Sequence, residues 1–434
     1  MPFETGAAPR RRIAVIGAGI SGMGAARELA DTHDVTLIET EPRLGGHART
    51  ILAGKRGDQP VDTGFIVFNH ANYPELARLF DRLDVPVVKS DMSFGVSCLD
   101  GRFEYALSDL GAVFAQRRRA FDPRFLRMLR DIFRFNARAV AMSRTDGARQ
   151  TIGEFLDRMG TGPWFRDRYL LPLTSAIWST PSRQILEFPA QAMIRFMENH
   201  ALLGARGQHQ WYTVQGGSVA YVERLGRALT RAGVTVRTGA PVAGLRRDSA
   251  GCELHVEGGE WQRFDEVVLA THSDTALTLL SDATPQERAD LGAIRYQPND
   301  IMLHADPSVM PRRRNVWSSW NYTGTPARRD GQIDMTYWMN RLQPIPEDDP
   351  MFVTLNTTRP IRDELVYDQV TLHHPVYDLE ALAAQDRLHA RNGTHNTWFC
   401  GAWMANGFHE DGLVSGLTVA RAIAARDSMP VAAE

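Results

Sequence analysis

Three glycines and a carboxylate are the residues of this chain whose spacing most plainly serves chemistry. Gly17, Gly19 and Gly22 stand in the segment GAGISG, directly after the apolar run Ile13–Ile16, and give a GxGxxG spacing where a strand meets a helix. Each has a steric reason: Gly17 permits the tight turn, Gly19 lets a pyrophosphate approach the backbone, and Gly22 lets helix and strand pack closely. The spacing alone also fits an ordinary tight turn. Glu39 narrows the reading, because it closes the next apolar run 20 residues after Gly19. A carboxylate there can bind both hydroxyls of an adenosine ribose and would repel a 2′-phosphate. Together these residues, with Ser21 at the start of the helix, predict a dinucleotide-binding unit.

The following residues select the dinucleotide. Glu41, Arg43, Leu44, Gly45, Gly46, His47 and Arg49 resemble the ExxxxLGG extension of the FAD-dependent amine oxidase, phytoene desaturase and protoporphyrinogen oxidase superfamily. Asp62, Thr63 and Gly64 resemble its DxG loop near the flavin ring, and the likeness continues at Gln215–Ser218, Val242 and Ala270–His272. It returns at Gly401, at Asn406–Leu413, and at Ser415 and Gly416. The resemblance implies noncovalent FAD, held by the Rossmann residues together with Gly45, Gly46, His47, Gly64, Val242, Gly401, Asp411, Gly412 and Leu413. In relatives the strand at Val242 meets adenine, and the C-terminal helix sets its N-terminus against the flavin pyrimidine. A helix dipole there stabilises the anionic reduced flavin. The segments GFHEDGL, AIWSTP and QWYTVQGGS are similar to a bacterial amine-oxidase-like branch, whose members are often encoded beside enzymes resembling cyclopropane-fatty-acid synthases. That neighbourhood implies a lipid acyl chain as substrate.

With hydride chemistry assigned to the flavin, the protein needs to orient the substrate and handle protons. His409 and Glu410 are the catalytic candidates for that work. The same residues have structural readings: Glu410 and Asp411 as caps of the last helix, His409 and His47 as satisfied histidines. The only lysines are Lys55 and Lys89, so the family's frequent lysine near flavin N5 has no counterpart beyond residue 89. Cys400 reads as a small buried side chain rather than a covalent flavin anchor, and Cys98, Cys252 and Cys400 make no metal-ligand spacing. The first expectation is an FAD-dependent dehydrogenase or desaturase of an apolar substrate such as a methylated fatty acyl chain. The alternatives are a flavin amine oxidase, with Trp403 and Phe408 as candidate rings, and a non-redox flavin isomerase.

The elements that must position these residues follow from hydrophobic periodicity. Strand–turn–helix–strand is expected over residues 13–38, helices over Pro74–Leu83, Val219–Ala232 and Val414–Ala425, and short strands near Val234, Val242, Glu253, Val267 and Trp398. Residues 108–200 read as helical, and 295–375 as strand-rich. The fold expected is α/β: a Rossmann-type, glutathione-reductase-like FAD-binding domain with an interleaved α+β substrate domain. Its segments are 1–90, 211–280 and 391–434 for FAD, and 91–210 and 281–390 for substrate. At 434 residues, two joined domains are the natural size expectation. A net charge of −2, from 49 basic and 51 acidic residues, argues against nucleic acid as partner. Three scattered cysteines and the lack of a long apolar run predict a cytoplasmic protein. Residues 111–144 carry nine arginines interleaved with aromatic and aliphatic residues. They read either as a basic amphipathic surface for an anionic membrane or as a helix with a core face and a solvated face. Oligomeric state leaves no trace in the sequence.

Overall fold

The structure is a computed structural model that describes residues 10–146, 150–204, 209–324 and 333–427. Its organising layer is a five-stranded parallel sheet built from β1 (Arg12–Ile16), β2 (Asp34–Ile38), β3 (Thr235–Arg237), β4 (Glu266–Leu269) and β5 (Thr397–Phe399). The strand order is β5–β4–β1–β2–β3. Residues Ile13–Ile16 and Glu266–Leu269 are buried throughout, as parallel strands covered on both faces must be. Helix α1 (Ile20–Leu29) leaves the tip of β1, so the GxGxxG turn lies at the carboxyl end of the sheet, where open α/β folds bind ligands.

A second sheet of seven strands runs in the order Val366–Val376, Arg295–His304, Phe352–Leu355, Met335–Trp338, Trp320–Gly324, Phe94–Cys98 and Phe103–Ala106. Its last two strands come from before the helical insertion and join through a parallel pairing of Trp320–Gly324 with Phe94–Cys98. Both are buried at every position, which removes the two-residue alternation that announces a strand. The strand Trp261–Phe264, which completes a small antiparallel sheet with Val242–Asp248 and Gly251–Val256, was likewise not expected.

The parallel sheet takes its strands from residues 12–38, 235–269 and 397–399, and the seven-stranded sheet from residues 94–106 and 295–376. Helices Pro285–Ala293 and Leu379–Arg391 bury Leu291, Ala381 and Leu388 in the same cluster as Ala14, Leu269 and Phe399 of the parallel sheet. Their apolar faces therefore belong to the nucleotide-side core.

Four further helices matter for the site. Helix α2 (Pro74–Arg82) starts at a Tyr73 that provides no side-chain cap, with Pro74 in its first turn. Helix α3 (Pro123–Asp146) buries Phe125, Met128, Ile132, Phe135 and Ala139 in the substrate-side core, while Leu126 and Phe133 face outward. Helix α4 (Val219–Arg231) supplies the buried Tyr221. The last helix, α5 (His409–Asp427), begins five residues before the expected Val414. Its early start comes from Asp411, whose carboxylate reaches back to accept the Phe408 N–H at 2.9 Å. Helix α5 lies on α1 so closely that a Cβ on Gly416 would stand 2.2 Å from the Ser21 carbonyl oxygen.

Candidate functional site

A cavity of about 680 Å³ runs from the Rossmann turn to the seven-stranded sheet, within the ~300–1,000 Å³ of ordinary small-molecule sites. At its nucleotide end the backbone is shaped by glycine. Gly17 has φ +99°, and a Cβ there would meet the Ala270 carbonyl at 2.7 Å; a Cβ on Gly22 would lie 1.9 Å from the Gly17 oxygen. Gly19 differs, because a Cβ there would meet nothing among the described residues within 4 Å. The demand for glycine at Gly19 comes from whatever fills the cavity. Helix α1 has neither a side-chain cap nor a carboxylate in its first turn, so its N–H groups are left for an anion. Glu39 is fixed by Ala18 N–H at 2.7 Å on one oxygen and Glu41 N–H at 2.9 Å on the other. Each oxygen keeps acceptor capacity for a ribose hydroxyl.

The ExxxxLGG extension folds back over this turn. Gly45 and Gly46 both have positive φ, and a Cβ on Gly64 would sit 2.0 Å from the His47 carbonyl. Asp62 is buried and accepts from Thr50 Oγ1 at 2.6 Å, Ser218 N at 2.8 Å, Ser218 Oγ at 2.7 Å and Gln343 Nε2 at 2.9 Å. Burial pushes its carboxyl up to about 6 against those donors. Its task is to anchor the Thr63–Gly64 loop across both halves of the chain. Arg49 makes a bidentate pair with Asp368, at 2.6 and 3.0 Å, and so ties the extension to the strand Val366–Val376.

Imidazoles crowd the middle of the cavity. His47 lies 5.7 Å from His272 and 5.9 Å from His374, ring centre to ring centre, and His272 stacks on Tyr296 at 4.3 Å. Burial, then the neighbouring imidazole of His47, lowers His272 to about 4 and His374 to about 3. His47 is lowered by burial and then by Arg43, and its buried Nε2 has no hydrogen-bond partner among the described residues. His409 stacks on Phe65 with ring centres 3.9 Å apart, and its Nε2 lies 2.6 Å from the Tyr221 hydroxyl. Burial, and then His47, lowers it to about 3.

Of the residues singled out from sequence, Gly17, Gly19, Ser21, Glu39, Gly45, Gly46, His47, Gly64, Val242, Gly401 and His409 all border this one cavity. Five do not, and the packing says why. Gly22 serves the turn. Glu410, expected as a catalytic group, turns away to accept the N–H groups of Glu75 at 2.8 Å and Leu76 at 2.9 Å, supplying α2 with the cap that Tyr73 lacks. Asp411, expected at the cofactor, caps α5. Gly412 allows contact with Ser21 and Ile20, and Leu413 packs against Gly24. Sequence reasoning overlooked His373, His374, Phe65 and Tyr221. The adjacent His373–His374 in an otherwise alternating strand was a readable signal; Tyr221, one aromatic on an amphipathic helix, carried none.

The sequence profile described as flavin containing amine oxidoreductase matches residues 20–300, and the chain belongs to that family. Among curated proteins, an L-glutamate oxidase precursor of Streptomyces diastatochromogenes is 52% identical over 56 residues, 12% of this chain and 8% of that protein. A tryptophan 2-monooxygenase of Pantoea agglomerans pv. gypsophilae is 56% identical over 48 residues, 11% and 8% respectively. The match thus spans less than a tenth of either relative. Two solved structures share the fold over nearly their whole length. A CLA-producing fatty acid isomerase from P. acnes superposes with TM-score 0.67 at 17% identity, covering 95% of this chain and 98% of its own. Cyclohexylamine oxidase from Brevibacterium oxydans IH-35A gives TM-score 0.67 at 17% identity, with 97% and 100% covered. The residues at the nucleotide end fit FAD: an open helix N-terminus for the diphosphate, a fixed carboxylate for ribose and an unfilled space over Gly19. Among the described residues, no group of His, Cys, Asp and Glu is arranged to hold a metal ion.

Proposed function

We propose that this chain is an FAD-dependent dehydrogenase that desaturates an apolar acyl chain, such as a methylated fatty acyl group. One observation carries the reading. The cavity wall beyond the flavin segments is formed by side chains such as Met92, Ile177, Ile301, Val353, Leu355 and Leu372, while the only carboxylates on the wall among the described residues are Glu39 and Glu41, beside β2. An alkylammonium would find no counter-charge at that end, whereas a hydrocarbon chain gains about 25 cal/mol per Å² of apolar area buried. Bound FAD supplies the hydride acceptor. The first turn of α1 and Glu39 hold its diphosphate and ribose, the segments of the parallel sheet form the FAD-binding unit, and the seven-stranded sheet forms the substrate wall that orients the chain and excludes water.

Membrane contact belongs to the same reading. Leu110 and Phe121 are 77% and 87% exposed, Phe133 on α3 is 66% exposed, and the exposed Arg124, Arg127 and Arg130 stand among them. Apolar rings set in a cationic field match an anionic bilayer surface. No helix of the described residues is long and apolar enough to cross a membrane. In an anaerobic titration of FAD-loaded protein, bacterial phospholipid extract bleaches the flavin band and a panel of amines does not; bleaching by an amine alone would overturn the substrate class. Flotation with phosphatidylglycerol vesicles, lost on Phe121→Ser/Phe133→Ser and absent with phosphatidylcholine, tests the surface.

A further inference from the structure

We infer that Tyr221 fixes His409 in the Nδ1–H tautomer, so that His409 offers the cavity a hydrogen-bond donor and not a base. The inference rests on the reading that the reacting centre lies in the cavity that His409 borders.

The geometry has three parts. Phe65 stacks on the imidazole at 3.9 Å and 13°, which fixes the plane of the ring. The Tyr221 hydroxyl lies 2.6 Å from Nε2, which fixes its rotation. Tyr221 is itself fully buried on α4, packed at 5.2 Å against Phe80 and edge-on to Phe65 at 6.2 Å. Among the described residues its hydroxyl has His409 as its one hydrogen-bond partner. Two proton placements are conceivable. If Nε2 carried the proton and donated to the phenol oxygen, the phenol O–H would be stranded among aromatic rings with no acceptor, a costly arrangement for a buried donor. If the phenol donates, that cost vanishes, Nε2 becomes the acceptor, and the neutral ring carries its proton on Nδ1. Among the described residues the Tyr221 contact to Nε2 is the only hydrogen bond of the ring, so Nδ1 has no partner there, and the ring borders the cavity.

The charge state completes the assignment. His409 packs on Phe65 and Tyr221 near the imidazole of His47; burial first, and then His47, outweigh what the neighbouring rings offer a cation and hold the ring neutral down to about 3. A neutral imidazole whose free nitrogen bears the proton can donate to a carbonyl or to a developing anion. It cannot take a proton at that atom unless the tautomer changes and the Tyr221 bond breaks. Tyr221 is therefore a positioning residue, acting through His409.

The test uses the full-length, FAD-loaded protein labelled with 15N-histidine, and assigns the His409 ring by its loss in His409→Asn. The expected wild-type pattern is a protonated Nδ1 and an unprotonated Nε2, unchanged from pH 5 to 8. In Tyr221→Phe, the ring shifts to Nε2–H or to a mixture while the other histidines keep their shifts. A wild-type ring protonated at Nε2, or doubly protonated near neutral pH, overturns the inference whether or not Tyr221→Phe folds, and an unaltered tautomer in a folded Tyr221→Phe does so too. Kinetics address the reading beneath it: His409→Asn, which keeps an N–H donor, retains flavin reduction, while His409→Leu loses on the order of 100-fold or more. If His409→Leu reduces flavin at the wild-type rate while the tautomer is as assigned, the functional reading of the cavity fails and the tautomer stands.

Discussion

Replacing Glu410 separates structure from chemistry in the segment that the sequence marks most strongly. Helix α2 begins with Tyr73, whose side chain makes no cap, and Pro74, which has no N–H. The next two donors, Glu75 N–H and Leu76 N–H, both go to Glu410, at 2.8 and 2.9 Å. A hydrogen bond to a charged group contributes about 1.5–3 kcal/mol. The Glu75 donor is partly exposed and regains water in the mutant, whereas Leu76 is fully buried and does not. Burial also pushes the Glu410 carboxyl up, so its own desolvation offsets part of the gain. The net expected loss for Glu410→Ala is about 2–3 kcal/mol, and for Glu410→Gln, which keeps one acceptor, about 1–2 kcal/mol. Urea unfolding followed by circular dichroism measures the loss, and stopped-flow reduction of bound flavin measures the chemistry. The reduction rate of the Gln variant should stay within about threefold of wild type, a barrier change under ~1 kcal/mol. A Gln variant of unchanged stability whose reduction rate falls 100-fold would refute this reasoning and return Glu410 to the acid–base role.

Three further outcomes follow from the packing. Gly22→Ala places a methyl 1.9 Å from the Gly17 carbonyl; the purified variant should contain little flavin by absorbance and lose about 1–3 kcal/mol of stability. His304 is fully buried, bonded to Thr354 Oγ1 and the Asp306 N–H, and held by burial at about 4. Because the unfolded ring, near 6.5, binds a proton that the folded ring refuses, its contribution is complete above pH 6.5 and falls as pH drops toward 4. The loss at pH 5 is about 2 kcal/mol for this ring, so urea midpoints that stay level from pH 7.5 to 5 would contradict it. Cys400 is buried, with its thiol raised to about 12, and acid precipitation should leave all of the flavin in the supernatant.

The Rossmann end was legible because its demands are local. A turn between β1 and α1, a carboxylate at the end of β2 and left-handed glycines in the extension are each written within a few residues of where they act, and Gly17, Gly19, Ser21, Glu39, Gly45 and Gly46 all line the cavity. The C-terminal segment was legible as a place, and the cap role of Asp411 could be read locally, from Phe408 three residues back. Glu410 looks like an acid–base group until the start of α2 is known, and that start lies 335 residues away in the chain. The same limit hid Tyr221, whose meaning depends on the rotamer of a histidine on another helix. Phe94–Cys98 and Phe103–Ala106 escaped for a different reason: a strand buried on both faces loses the alternation by which a strand is read.

The cap on α2 also sets an order in time. Its two halves leave the ribosome 335 residues apart, which at ~5–20 residues per second is roughly 20–70 seconds. Meanwhile β1 waits for β4, and α1 waits for the glycine face of α5. The dinucleotide signature is synthesised well before the segments that close it. From the synthesis of α1 to that of α5 the nascent chain carries a nucleotide turn without a finished floor beneath it.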